Sequence, residues 1–294
     1  MKKSHKTSIK AASFLLAAVL SPFSMANDNS ASRVNDVRIV SAGSTVTELL
    51  FALGADKNVV AVDLTSRHYL DGRDIPVMGY HRQLAPESLL ALSPSHLIGS
   101  AEMGPDSTLS LLQAADVKVE ALPTGNTLQD FNTRVDALSS LTHTQEKGEE
   151  IKTDVATHIL QLKKNAPAKK PSVMFMMLSD GRPLTVAGDE TTVNTVIELA
   201  GGVNPAAAST TSYKQLSSEA IVQMQPEFIL ISQRTLDQVG GIDGVLKQQP
   251  LLAATPAAQN NRIIAINGYS ILGGFGLASL ELATSLNGRI VAAK

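Results

Sequence analysis

One thirteen-residue pattern occurs twice in this chain, and the repeat constrains the fold more than any other feature. Pro86-Glu87-Ser-Leu-Leu-Ala-Leu-Ser-Pro94-Ser-His-Leu-Ile98 recurs as Ser218-Glu219-Ala-Ile-Val-Gln-Met-Gln-Pro226-Glu-Phe-Ile-Leu230. Each copy predicts a short helix stopped by proline and followed by an apolar strand. In both, the acid stands seven residues before the proline and in the first turn of the helix. Two similar lobes are therefore expected to present equivalent carboxylates, as a two-lobed binder gripping a symmetric partner would. A second echo points the same way: Ala42-Gly43 through Glu48 to Gly54 resembles Ala187-Gly188 through Glu198 to Gly202. Both follow a β-rich run and close on glycine, as a strand, turn and capped helix do.

The first 26 residues read as a secretory signal peptide. Lys2, Lys3, Lys6 and Lys10 precede the apolar run 11–20, and Ser24-Met25-Ala26 supplies small residues before a cleavage site. That run is well short of the ~20 residues a membrane span needs, so the mature chain is expected to be exported and soluble, with a bacterial periplasm as its destination. Absence of cysteine excludes disulfides, a thiolate nucleophile, iron–sulfur ligation and a lipidated N-terminal cysteine. A formal net charge of −2 without a basic block argues against nucleic acid.

Alternating apolar runs and helical stretches over 27–142 predict an α/β lobe with a mainly parallel central sheet flanked by helices. A polar stretch follows with Ile151, Val155, Ile159 and Leu162 at helical spacing. It predicts one long helix within a connecting segment, 143–170, that ends at Pro167 and Pro171. A second α/β lobe is expected over 171–294. One rigid connection implies little hinge motion and a largely preformed cleft. Ligands gather outside the carboxyl ends of strands in such sheets, which directs attention to Gly43-Ser44-Thr45, the Gly79-Tyr80 loop, 179–188 and the Gly268-Tyr269 loop.

Gly79-Tyr80-His81-Arg82 places a phenol, an imidazole and a guanidinium just before the Glu87 helix. A ferric ion binds tyrosine as phenolate, a nearby arginine favours that anion, and tyrosine is an established haem-iron ligand. The same residues also describe a surface tyrosine in a glycine turn. Tyr269 offers an aromatic face near a strand end, or simple packing beside Phe275. His68-Tyr69 and Tyr213 are further candidates, although an aromatic in such a loop is more often an ordinary surface residue, and His96, His143 and His158 read as structural ones.

The run Gly79-Tyr80-His-Arg82-Gln-Leu84-Ala-Pro-Glu87 through Pro94 resembles the signature of the periplasmic haem-binding proteins that feed ABC importers, within the helical-backbone class of substrate-binding proteins. Further matches run from Ala42-Gly43-Ser44 to Phe275-Gly276. The resemblance implies that Tyr80 is the axial ligand of haem iron, with Arg82 beside the phenolate or a propionate and His81 as a neighbour. It also implies that Glu87 and Glu219 dock into arginines of a two-fold permease dimer in the inner membrane. This chain departs from the pattern in two places. Family members that carry a second-lobe histidine have it where this chain reads Ser179-Asp180-Gly181-Arg182, and many have Pro-Arg where it has Leu277-Ala278. Five-coordinate ferric haem on Tyr80 follows as the expectation, with Arg182 as a stand-in partner for a propionate. Cobalamin or a ferric siderophore in the same fold is the alternative cargo. An exported enzyme is a remote reading, since there is no nucleophile elbow, phosphate loop or cysteine.

Overall fold

The computed structural model describes residues 37–178 and 183–293. In chain order they form β1 (Ile39–Ala42), α1 (Ser44–Ala52), β2 (Val59–Val62), α2 (Pro86–Leu90), β3 (His96–Ser100), α3 (Asp106–Ala114), β4 (Lys118–Leu122), α4 (Leu128–Thr142) and α5 (Gln145–Asn165). The chain continues through β5 (Val173–Met177), β6 (Thr185–Ala187), α6 (Thr192–Leu199), β7 (Tyr213–Gln215), α7 (Ser218–Gln223), β8 (Phe228–Ser232), α8 (Gln233–Val239), α9 (Gly241–Gln248), α10 (Pro256–Gln259), β9 (Ile263–Ile266) and α11 (Leu277–Ala292). Two sheets result, as the α/β reading expects. The first, ordered β2-β1-β3-β4, is parallel throughout. The second, ordered β7-β6-β5-β8-β9, is parallel across β5, β8 and β9, while β6 runs antiparallel to both its neighbours.

The repeated pattern builds the same unit in each half. α2 and α7 each carry their acid in the first turn. Each copy then passes through a left-handed residue immediately before its proline, Ser93 (φ 48°) in one and Gln225 (φ 46°) in the other. Entry into the sheet is also shared: the amides of Ser95 and His96 both donate to the Arg38 carbonyl, and those of Glu227 and Phe228 both donate to the Ser172 carbonyl. β3 then pairs with β1, His96 opposite Ile39, as β8 pairs with β5, Phe228 opposite Val173.

The second echo is local only. Ala42 closes β1, an interior parallel strand, whereas Ala187 closes β6, which is antiparallel. By its pairing, the counterpart of β1 is β5, and β6 is an addition. A strand–glycine–helix pattern satisfies the same local geometry whichever way its strand runs, so sequence similarity alone does not report sheet position.

The spacing of Ile151, Val155, Ile159 and Leu162 does form one buried stripe, on α5. α5 packs closely on α4 at Gly148, where a Cβ would stand 2.9 Å from that of Ser139. α4 was not singled out by the apolar pattern, although Thr127 and Asp130 supply a capping box at its start. The main core joins β1 and β3 to β5 and β8 through Phe131, Val135 and Leu138 of α4, the α5 stripe, Val193 and Ile197 of α6, and Leu280, Leu286 and Ile290 of α11. Each buried side chain of this kind contributes roughly 1.5–3 kcal/mol, so the halves share a core and not merely a connecting helix. The expected signal peptide, 1–26, lies outside the described residues. No helix among the described residues is long and apolar enough to cross a membrane.

Candidate functional site

Parallel strands deliver their carboxyl ends to one edge of the sheet, and a cavity of about 350 Å³ lies at that edge of the first sheet. This is at the lower end of the roughly 300–1,000 Å³ usual for small-molecule sites. One wall comes from Gly43 to Val46 after β1, Tyr80 to Arg82, Ser100 and Glu102 after β3, and Leu122 to Thr124 after β4. The facing wall comes from Glu190 to Thr192, Ser212 and Tyr213, and Ile271 to Gly274. Asn126 bridges the two sides, donating to the Glu190 carbonyl (3.2 Å) and accepting from Thr192 Oγ1 (2.8 Å). Thr45 Oγ1 donates to the Gly273 carbonyl at 2.8 Å.

The Tyr80 segment is a turn opened by glycine. Gly79 takes φ 81°, and the Gln83 amide returns to the Tyr80 carbonyl at 2.8 Å. In consequence the Tyr80 and His81 rings lie side by side, with centroids 4.4 Å apart, and both line the cavity. Tyr80 is 37 % exposed, while His81 is buried with Nδ1 at 2.9 Å from Asp63 Oδ2. A carboxylate only accepts, so the proton of that bond belongs on Nδ1 and Nε2 is left toward the cavity side. Burial pushes the Asp63 carboxyl up, but hydrogen bonds from His81, Ser66 and Thr65 outweigh it and hold the group below its ordinary 3.8. The network continues inward through Ser66 and Thr47 to Ser41. Arg82 is engaged by Glu102: its Nη2 lies 2.6 Å from Glu102 Oε1, and Glu102 Oε2 lies 3.8 Å from His81 Nε2.

The other expected site residues separate. Tyr269 sits in a 3₁₀ turn after β9 and stacks on His68, centroids 4.0 Å apart, while the Phe275 ring meets that of Phe131. The cavity is reached by the next residues of that loop, Ile271 to Gly274. Arg182 lies outside the described residues. Glu87 and Glu219 are exposed on α2 and α7. For Glu219, its own backbone N–H and the Ser217 hydroxyl hold the carboxyl below its ordinary value.

Several residues beyond the Tyr80 turn take part. Tyr213, one of the further candidates, is on the far cavity wall. Tyr69, another of them, is half-buried and donates to Glu48 Oε1 at 2.9 Å. Glu48 also accepts from the amides of Leu277 (2.9 Å) and Ala278 (2.7 Å), tying α1 to the amino end of α11. Those two residues occupy the place where the resemblance leads one to expect Pro-Arg, and here their N–H groups serve a carboxylate of the protein itself. Arg134 lines the cavity although it is 1 % exposed; it donates to the carbonyls of Pro123 (2.6 Å), Gly125 (3.4 Å) and Phe275. Among the described residues, no three histidines and carboxylates group so as to hold a bare metal ion.

Similar proteins of known structure carry this arrangement of elements. The chain is 46% identical to the periplasmic heme-binding protein HutB of Vibrio cholerae, with a TM-score of 0.83 over 87% of this chain and 99% of that one. It is 34% identical to the periplasmic heme-binding protein RhuT from Roseiflexus sp. RS-1 in apo form, with a TM-score of 0.78 over 87% and 98% of the two chains. A curated relative, the vitamin B12-binding protein of Vibrio parahaemolyticus serotype O3:K6, is 25% identical over 78% of this chain and 81% of its own length. The family model described as periplasmic binding protein matches residues 39–269, and the chain belongs to that family.

Proposed function

We propose that the chain is a non-catalytic carrier that captures ferric haem in this cavity and delivers it to an inner-membrane ABC importer. The observation that carries the reading is the Tyr80 turn, which sets a part-exposed phenol on the cavity wall beside a buried imidazole and a guanidinium. Tyr80 is the iron ligand in this reading, bound as phenolate, and iron is otherwise five-coordinate. Arg82 supplies positive charge to the phenolate or a propionate, and His81 holds the phenol's flank. HutB and RhuT, both named as heme-binding proteins, support haem as the cargo. Export through a signal peptide cut after Ala26 brings the carrier to the periplasm. A first lobe ending at 142 and a second beginning at 171 present Glu87 and Glu219 to the two-fold permease dimer.

Cobalamin is the second reading, favoured by the name of the Vibrio parahaemolyticus relative. It gives the phenol no task, whereas ferric iron does. The two are separated by titrating residues 27–294 with ferric haem and, in parallel, with cyanocobalamin. The haem reading expects saturation at one haem per chain, no product, and no response to cobalamin. Saturation by cobalamin alone overturns it.

A further inference from the structure

We propose that Glu102 holds Arg82 in place of a ligand carboxylate, and so sets how tightly the cavity retains a porphyrin bearing carboxylates. The inference rests on the haem reading and goes beyond it. Haem carries two carboxylates, and a guanidinium is the group that matches them bidentately. Among the described residues of the cavity wall, the guanidiniums are those of Arg82 and Arg134. Arg134 is buried and both its terminal nitrogens serve main-chain carbonyls. Arg82 is the one within reach of an incoming ligand, and Glu102 is on it at 2.6 Å.

The pairing is built in by the backbone. The Gly104 amide donates to the His81 carbonyl (3.0 Å) and the Leu84 amide to the Gly104 carbonyl (2.8 Å), so the turn that carries Arg82 is registered against the segment that carries Glu102. The Glu102 amide in turn donates to Ser100 Oγ at 3.2 Å. Gly99 permits this fold-back, since a Cβ there would run into the Ala42 carbonyl and the Met103 side chain. Yet the ion pair itself is half in water, with Arg82 51 % and Glu102 54 % exposed. Pairs of that kind are weak enough to exchange. A ligand carboxylate either displaces Glu102 from Arg82 or binds beside it against like-charge repulsion. In both cases Glu102 lowers affinity for a dianionic porphyrin and spares one without charge.

The test titrates the chain, Glu102→Gln, Arg82→Ala and the double variant with ferric haem and with its dimethyl ester, after thermal melts show that each variant is folded. The expected result is that Glu102→Gln binds haem about two- to fivefold more tightly, binds the ester unchanged, and gives no gain once Arg82 is alanine. Equal gain for both ligands, a gain that survives Arg82→Ala, or weaker haem binding by Glu102→Gln overturns the inference while leaving the haem reading standing. Failure of the parent chain to saturate with haem overturns both.

Discussion

In the first half of the molecule, the helix beginning at Pro86 feeds the inner strand β3 of an all-parallel sheet. In the second, the helix beginning at Ser218 feeds β8, and the sheet gains an antiparallel edge, β6 and β7, that the first half lacks. What the halves share is an exposed glutamate and an exposed left-handed residue, followed by a buried proline and a largely buried parallel strand. What differs between them faces the cavity. The first half contributes the phenol, imidazole and guanidinium of Tyr80 to Arg82, while the second contributes Tyr213 of the added edge, Ser212 just before it and Thr191 at the start of α6. The comparison teaches that the two halves keep their exposed acids in equivalent places, while the cavity is lined by loops and an added edge that differ between them.

The largest expected effect breaks or keeps the symmetry of the outward features. Glu87→Arg and Glu219→Arg each lower haem uptake in a reconstituted importer, the double variant abolishes it, and haem titration of the purified chain is unchanged. If only one of the two matters, the halves are not docked alike. Next come two glycines that let backbones approach closely. Gly99→Ala drives a Cβ into the Ala42 carbonyl, and Gly188→Ala does the same to that of Thr210. Each is expected to cost about 1–3 kcal/mol, with Gly99 the larger because β3 has strands on both sides. Denaturant melts compare them, and a greater loss at Gly188 reverses the ranking.

Two buried carboxylates of the first half then respond to pH in opposite directions. Burial raises the Glu48 carboxyl above its ordinary 4.5, despite the donors Ala278, Leu277 and Tyr69. The folded chain holds that proton more tightly than the unfolded one, so this group's contribution to stability falls as pH rises from about 4.5 through the folded value. Asp63 runs the other way: its contribution is present above the ordinary 3.8 and is lost as pH falls through the lower folded value. Melts of Glu48→Gln against pH should lose the first slope and keep the second; retention of both denies Glu48 its role. Glu48→Ala, which orphans two N–H groups and a phenol, is expected to cost about 1–3 kcal/mol. Smallest of all is Leu277→Pro. Proline suits the first helical position, so the change removes one hydrogen bond to Glu48 for about 0.5–1.5 kcal/mol. A much larger loss would mean that α11 depends on Leu277 for more than that bond.

The parts of this molecule legible in its sequence are those whose cause is local. The repeat specifies helix, proline and strand within thirteen residues, α5 declares itself by spacing, and the Tyr80 turn by motif. Glu48 and Glu102 were not legible because nothing near them in sequence explains them. Glu48 meets residues 229 and 230 positions away, and Glu102 meets a loop brought over by backbone pairing. Tyr269 shows a related case, since its stacking on His68 joins two residues far apart in sequence.

The most direct test of haem capture by the first half is the visible and resonance Raman spectrum of ferric-haem-loaded protein for Tyr80→Phe beside Tyr213→Phe. The account predicts that the phenolate-to-iron signature vanishes in Tyr80→Phe and is unchanged in Tyr213→Phe. A signature that persists without the Tyr80 hydroxyl, or disappears with that of Tyr213, would contradict it.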